Sequence, residues 1–281
     1  MEWPRVKNIL IVLLVIVNLF LFVAYANSAM QEARSARAAR EELVSVLAAR
    51  GFALDEALLP QKGAVLYPAR AMRDSEREGE LARALLGDAE GDRLGTGTMR
   101  YQSDAGELRF RAGGYFEITL SSCPQVTDAA SMRVFVQEIA AKLGMQIAEG
   151  EIPVEQDAAS FRASVTQMIL GVPLYNCRLS AWVLSDQSAK ITGRMMYDKV
   201  TILRGREPYA VTGLLLNLVE ELESQGVHSG TIEEISAGYR VSVGSGSGNS
   251  GTLYALPVWK LRVDGAEYFL GAMNGKPVYL D

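Results

Sequence analysis

No charged residue interrupts the chain between Lys7 and Glu32. Inside that gap, Ile9–Ala26 is a run of eighteen residues, almost purely aliphatic or aromatic, with Asn18 its one clearly polar side chain. Coiled as a helix, it is about 27 Å long, close to the thickness of a bilayer core. A helix apolar on every face does not suit the surface of a soluble domain. Trp3 and Tyr25 flank the run, where amphipathic rings favour an interface. The expectation is an N-terminal transmembrane anchor. Arg5 and Lys7 place its start in the cytoplasm, although Arg34, Arg37 and Arg40 beyond it oppose that orientation. A cleaved signal peptide is the alternative, because Ala24-Tyr25-Ala26 has the small-x-small form of a cleavage site. Both readings export the body.

The 281 residues carry a net charge of −5, which leaves no electrostatic case for a nucleic-acid partner. Cys123 and Cys177 stand in no metal-spaced cluster, and an exported body leaves both a disulfide and buried free thiols open. His228 is the one histidine, in a polar loop, so neither a His-rich zinc site nor a Ser-His-Asp triad is expected.

Met30–Arg50 is rich in Ala, Glu and Arg, and reads as a helix with Leu43, Val44 and Leu47 on one face, stopped by Gly51. A short strand within Gly63–Ala71 and a helix over Glu76–Leu86 follow, then a polar Gly-rich loop over Asp88–Thr98. Met99-Tyr101, Leu108-Phe110 and Phe116-Ile118-Leu120 alternate apolar and polar positions, which predicts an antiparallel meander.

The second half reads as an internal duplication. Met132, Phe135, Val136, Ile139 and Leu143 share a spacing with Val211, Leu214, Leu215, Leu218 and Leu222. Each helix precedes strands and a proline-centred core, Gly171-Val172-Pro173-Leu174-Tyr175 and then Ala255-Leu256-Pro257-Val258-Trp259. A further hairpin follows each core, and Asn274-Gly275 signals a type I′ turn near the end. The fold class expected is α+β: a transmembrane helix, then two lobes of antiparallel sheet, each packed with a helix.

Other motifs read as structure. Gly246-Ser247-Gly248-Asn249-Ser250-Gly251 matches Gly-x-Gly-x-x-Gly, but a strand rather than a helix is expected after it, so it does not fit a dinucleotide site. Glu220, Glu221, Glu223, Glu233 and Glu234 read as solvated carboxylates, and Trp182 and Trp259 as core anchors. Asn18 has two readings, a group that hydrogen-bonds across to another transmembrane helix and a tolerated polar site.

The opening Met1–Leu10, the run Asn18-Leu19-Phe20-Leu21-Phe22, and the segments Gly171–Tyr175, Ala237-Gly238-Tyr239, Leu256–Lys260 and Ala272–Gly275 together resemble the YycI family of two-component-system regulatory proteins. The last part also resembles a PepSY-type module. The resemblance implies an anchored protein with an extracytoplasmic body. It would regulate a WalK-type sensor histidine kinase without catalysis or cofactor, beside a YycH-like anchored partner. Trp3, Asn18, Phe20 and Phe22 would face those partners. The expected organisation is an anchor over 1–29, a first α+β segment over 30–125, and helix-plus-strands repeats over 126–205 and 206–281. An extracytoplasmic binding module for a small ligand, peptide or envelope polymer is the alternative function.

Overall fold

The structure is a computed structural model that describes residues 3–60, 65–95, 97–157, 159–205, 208–209, 211–244 and 251–280. Within the first helix, the side chains of residues 3–10, 12, 26, 29, 32 and 33 are not described.

Helix α1 (Trp3–Ala49) runs unbroken for 47 residues. Its start is apolar and its middle is polar and exposed. Its last turns bury Leu43 and Leu47 in the body. This corrects the expected anchor. Among the described residues, no helix is long and apolar enough to cross a membrane. Within Ile9–Ala26 the described side chains are Ile11 and Leu13–Tyr25. The eighteen-residue span also rests on Ile9, Leu10, Val12 and Ala26, whose side chains lie outside the described residues.

The body is mixed α and β with one large sheet. Its strands are β1 (Phe52–Leu54), β2 (Ala69–Met72), β3 (Glu90–Leu94), β4 (Thr98–Ser103), β5 (Gly106–Phe110), β6 (Tyr115–Leu120), β7 (Gln146–Ile147) and β8 (Val154–Gln156). They continue with β9 (Ser160–Ile169), β10 (Val172–Leu184), β11 (Ala189–Arg194), β12 (Val200–Ile202), β13 (Gly230–Val243), β14 (Thr252–Val263) and β15 (Ala266–Gly271). The other helices are α2 (Ser75–Leu86), α3 (Ala129–Lys142) and α4 (Val211–Ser224). α3 leads into β9, β10 and β11 as α4 leads into β13, β14 and β15, with antiparallel pairing inside each trio.

Local chemistry sets the helix ends. Asp74 caps α2 by accepting the backbone N–H groups of Glu76 and Arg77. Gly87 ends α2 at φ 75°, a conformation that favours glycine. Asp128 and Ser131 form a reciprocal capping box on α3.

Two apolar clusters form. One gathers α2 and α3 residues with β4–β6 and β9–β11; the other gathers α4, the end of α1 and the C-terminal strands. They are not two separate sheets. A 15-stranded sheet runs β12-β2-β14-β13-β10-β11-β6-β5-β4-β3, with the remaining strands paired at its margins. The halves meet where β10 and β13 run parallel at Leu174 and Tyr239.

Side chains complete that short ladder. Asn176 Nδ2 donates to the Val241 carbonyl at 2.9 Å, and the Val241 N–H donates to Asn176 Oδ1 at 2.7 Å. Tyr175 Oη donates to Ser236 Oγ at 3.1 Å. Gly238 allows the strands this close, since a Cβ there would lie 2.5 Å from the Tyr175 ring and 2.6 Å from the Pro173 carbonyl oxygen.

The expected loop over Asp88–Thr98 instead contains β3, which pairs with β4. All five β3 residues are exposed, so no apolar alternation marked it as a strand.

Asn176→Ala removes both partners of Val241. Each stranded buried backbone group costs about 1–3 kcal/mol. Urea denaturation should show a loss of that order. A midpoint unchanged in Asn176→Ala would show that the seam does not depend on this side chain.

Candidate functional site

Helix α1 exposes more apolar surface than any other described element. Leu13, Leu14, Leu19, Phe20, Leu21 and Phe22 are all more than half exposed, Phe20 at 71% and Phe22 at 69%. A helical step of about 100° puts Phe20 and Phe22 on nearly opposite sides, while Asn18 and Phe22 share a face. These residues therefore do not form one narrow patch. Asn18 Nδ2 donates to the Leu14 carbonyl of its own helix at 2.9 Å, so this donor is satisfied locally. The Trp3 side chain lies outside the described residues.

A second site lies where α2 meets the segment after β11. Glu78 of α2 is fully buried. Arg73 Nε donates to Glu78 Oε1 at 2.6 Å and Arg73 Nη2 to Oε2 at 2.9 Å, a bidentate pair. Tyr197 Oη donates to the same carboxylate. Arg73 also donates to the carbonyls of Gly97 and Phe110. One buried charge thereby ties together β2, α2, β5 and the chain after β11. A cavity of about 480 Å³ opens beside it, lined by Arg70, Asp74, Glu76, Tyr197, Asp198 and Lys199 among others. Its acidic and basic side chains balance, and the Glu78 carboxylate is fully engaged, so the arrangement braces the fold and offers no free base.

Burial raises the Tyr197 phenol well above its ordinary value, and the Glu78 carboxylate adds to the shift. Burial also pushes Tyr175 up to about 12. Gln167 makes a comparable brace: its Nε2 donates to the Met196 carbonyl and its Oε1 accepts the Met196 N–H, both at 2.8 Å.

Other residues named from sequence are dispersed. Trp259 is buried in the second cluster. Trp182 is not a core anchor: it is half-buried, with the Arg162 guanidinium 5.4 Å from its ring centroid. His228 is exposed. Both cysteines are free, Cys177 buried and Cys123 half-buried. Glu233 and Glu234 pair with Arg262 across β13 and β14. Glu220 and Glu223 lie near Arg50. Residues 246–250 of the glycine-rich motif lie outside the described residues, and Thr252 does begin a strand.

Sequence reading missed the Glu78 cluster because Tyr197 lies 119 residues from Glu78 along the chain. One signal was available: Glu78 sits on the same helix face as Leu81, Ala82 and Leu85, an apolar stripe where a carboxylate needs a partner.

No family model matches the chain, and no curated protein does. Among solved structures, the chain is similar to an uncharacterized protein from Eubacterium rectale ATCC 33656, with a TM-score of 0.51 and 12% identity over 78% of this chain and 86% of that one. That similarity concerns the fold alone. The Bacillus megaterium YpeB C-terminal domain is a weak structural neighbour, with a TM-score of 0.36 and 10% identity over 75% of this chain and 97% of that one. A score that low carries no argument. The class defined is a mixed α/β protein built on a single large sheet.

The raised tyrosines set an alkaline limit. Tyrosine ionises near 10 in an unfolded chain, and the folded state holds these protons more tightly. Their contribution is complete below about pH 10 and falls above it, by at most about 1.4 kcal/mol per pH unit for each phenol. Urea melts between pH 9 and 11.5 should show this decline, and Tyr197→Phe should flatten it. A slope identical in the variant would mean that Tyr197 does not titrate with unfolding.

Proposed function

We propose that the chain is a non-catalytic accessory protein that regulates a sensor histidine kinase by direct contact, as the resemblance to the YycI family implies. The observation that carries this reading is the bare apolar stretch of α1 on a well-packed body. Scattered exposed apolar residues need no explanation, but a contiguous run around a whole helix does. Covering each Leu or Phe of such a run is worth about 1.5–3 kcal/mol. The occupant proposed is apolar helix of the kinase, with a YycH-like protein as a second partner.

The polar part of α1 would carry that contact into the body, whose second core holds Leu43 and Leu47. Regulation then requires that the protein bind two kinase states unequally, because equal affinity shifts no equilibrium. The location proposed is the cell membrane, with the α/β body outside the cytoplasm.

A photo-crosslinking residue at Phe20 or Phe22 in the full-length chain should capture a sensor histidine kinase in native cells. Deleting the chain should change transcription under that kinase. Wild type should restore it, and a variant with serine at Leu13, Leu14, Leu21 and Phe22 should not. Crosslinks to other proteins only, or full restoration by the serine variant, would overturn the proposal.

Cys123 supplies a test of location. It is half-buried, and burial together with nearby Asp186 raises its thiol above the ordinary value, so labelling is run at mildly alkaline pH. A membrane-impermeant maleimide should label Cys123 in intact cells. Labelling only after lysis would place the body inside.

A further inference from the structure

The open face of the sheet holds an arginine-lined notch that the regulatory proposal does not use. β11 pairs on one side with β10, ending at Leu179 and Gly193, and on the other with β6, where Arg194 opposes Tyr115. One residue beyond the Leu179–Gly193 pair stand Arg178 and Arg194, on adjoining strands. Both line a cavity of about 340 Å³ together with Arg111, Tyr115, Glu117, Asn176 and Thr192.

The charges there do not cancel. Glu117 is the one carboxylate among the lining residues, and it is already engaged. Arg111 Nη2 reaches its Oε2 at 3.1 Å and Lys190 Nζ its Oε1 at 3.0 Å, and Lys190 holds the carboxyl below its ordinary value. Arg194 is only 5% exposed. Its Nε donates to the Gly113 carbonyl at 2.9 Å, and its guanidinium carbon lies 4.9 Å from the Tyr115 ring centroid. It forms no ion pair among the described residues, and neither does Arg178. A nearly buried guanidinium without a counter-ion is costly, and like charges side by side on neighbouring strands repel. Asn176 is spent on Val241 and supplies no negative charge. The notch persists in a chain whose net charge is −5.

We propose that this notch is a binding site for a small oxyanion, the carboxylate or phosphate group of a small ligand. Two planar guanidinium forks suit bidentate recognition of such groups. The Thr192 hydroxyl adds a neutral donor among the lining residues. Arg194 is the fixed member, clamped by Gly113 and Tyr115. Arg178, exposed, is the member free to close on the ligand.

The test is a thermal melt of the full chain in a mild non-ionic detergent, followed by tryptophan fluorescence. Sodium phosphate and sodium succinate are titrated separately against sodium chloride at matched ionic strength. One or both should raise the wild-type melting temperature by several degrees in a saturable way, and the oxyanion that does so identifies the ligand chemistry. Without oxyanion, Arg178→Gln should melt no lower than wild type, because it relieves the repulsion with Arg194, and its apparent affinity for the oxyanion should fall at least tenfold. Arg178→Lys should recover part of it. No shift beyond that of chloride, or an equal shift in wild type and Arg178→Gln, would overturn the site.

Discussion

The sheet holds together through one short stretch of parallel pairing between β10 and β13. A single register pair, Leu174 with Tyr239, is too little ladder to join two large groups of strands. The Asn176 amide extends it by imitating a strand backbone, offering one donor and one acceptor to Val241. Because these groups are buried, the amide must be made in full, and a half-satisfied version would cost more than an apolar contact. Gly238 is the steric counterpart, holding the strands near enough for Tyr175 to reach Ser236. Tyr239 then donates to the Tyr67 carbonyl at 2.9 Å, which draws the segment before β2 onto the seam.

The Glu78 cluster does similar work for the first core. A buried carboxylate is a liability unless its charge and lone pairs are satisfied, and here Arg73 and Tyr197 satisfy both. Arg73 links this core to the loop before β4 and to β5, while Gln167 fixes the neighbouring Met196 backbone. The same economy is absent from the arginine notch, where cations outnumber engaged carboxylates. That contrast within one molecule separates a structural cluster from a binding site: the first is closed on itself, and the second is left open to an anion.

Helix α1 joins two regimes. Its last turns are held by the second core, where Leu47 is fully buried, and its described apolar side chains between Ile11 and Tyr25 are exposed. The continuity of the helix follows from good helix formers and the absence of glycine or proline from Arg5 to Arg50. Within its apolar run, Asn18 donates one amide N–H to the Leu14 carbonyl four residues back, which uses one of the side chain's two donors.

Periodicity by itself determined most helices and the alternating strands. α2, α3, α4, the β4–β6 meander and the order of elements in both halves follow from apolar spacing and turn residues, which are local properties of the chain. Local properties also marked the solvated carboxylates and the exposed His228. Tertiary structure alone decided what depends on distant partners. It paired the polar strand β3, merged two expected lobes into one sheet through Asn176 and Gly238, and set Trp182 under Arg162 rather than in a core. It also brought Arg178 beside Arg194 and Tyr197 onto Glu78. Charge and hydrogen-bond complementarity act through space, with no fixed spacing along the chain, so those sites became visible only when the sheet closed.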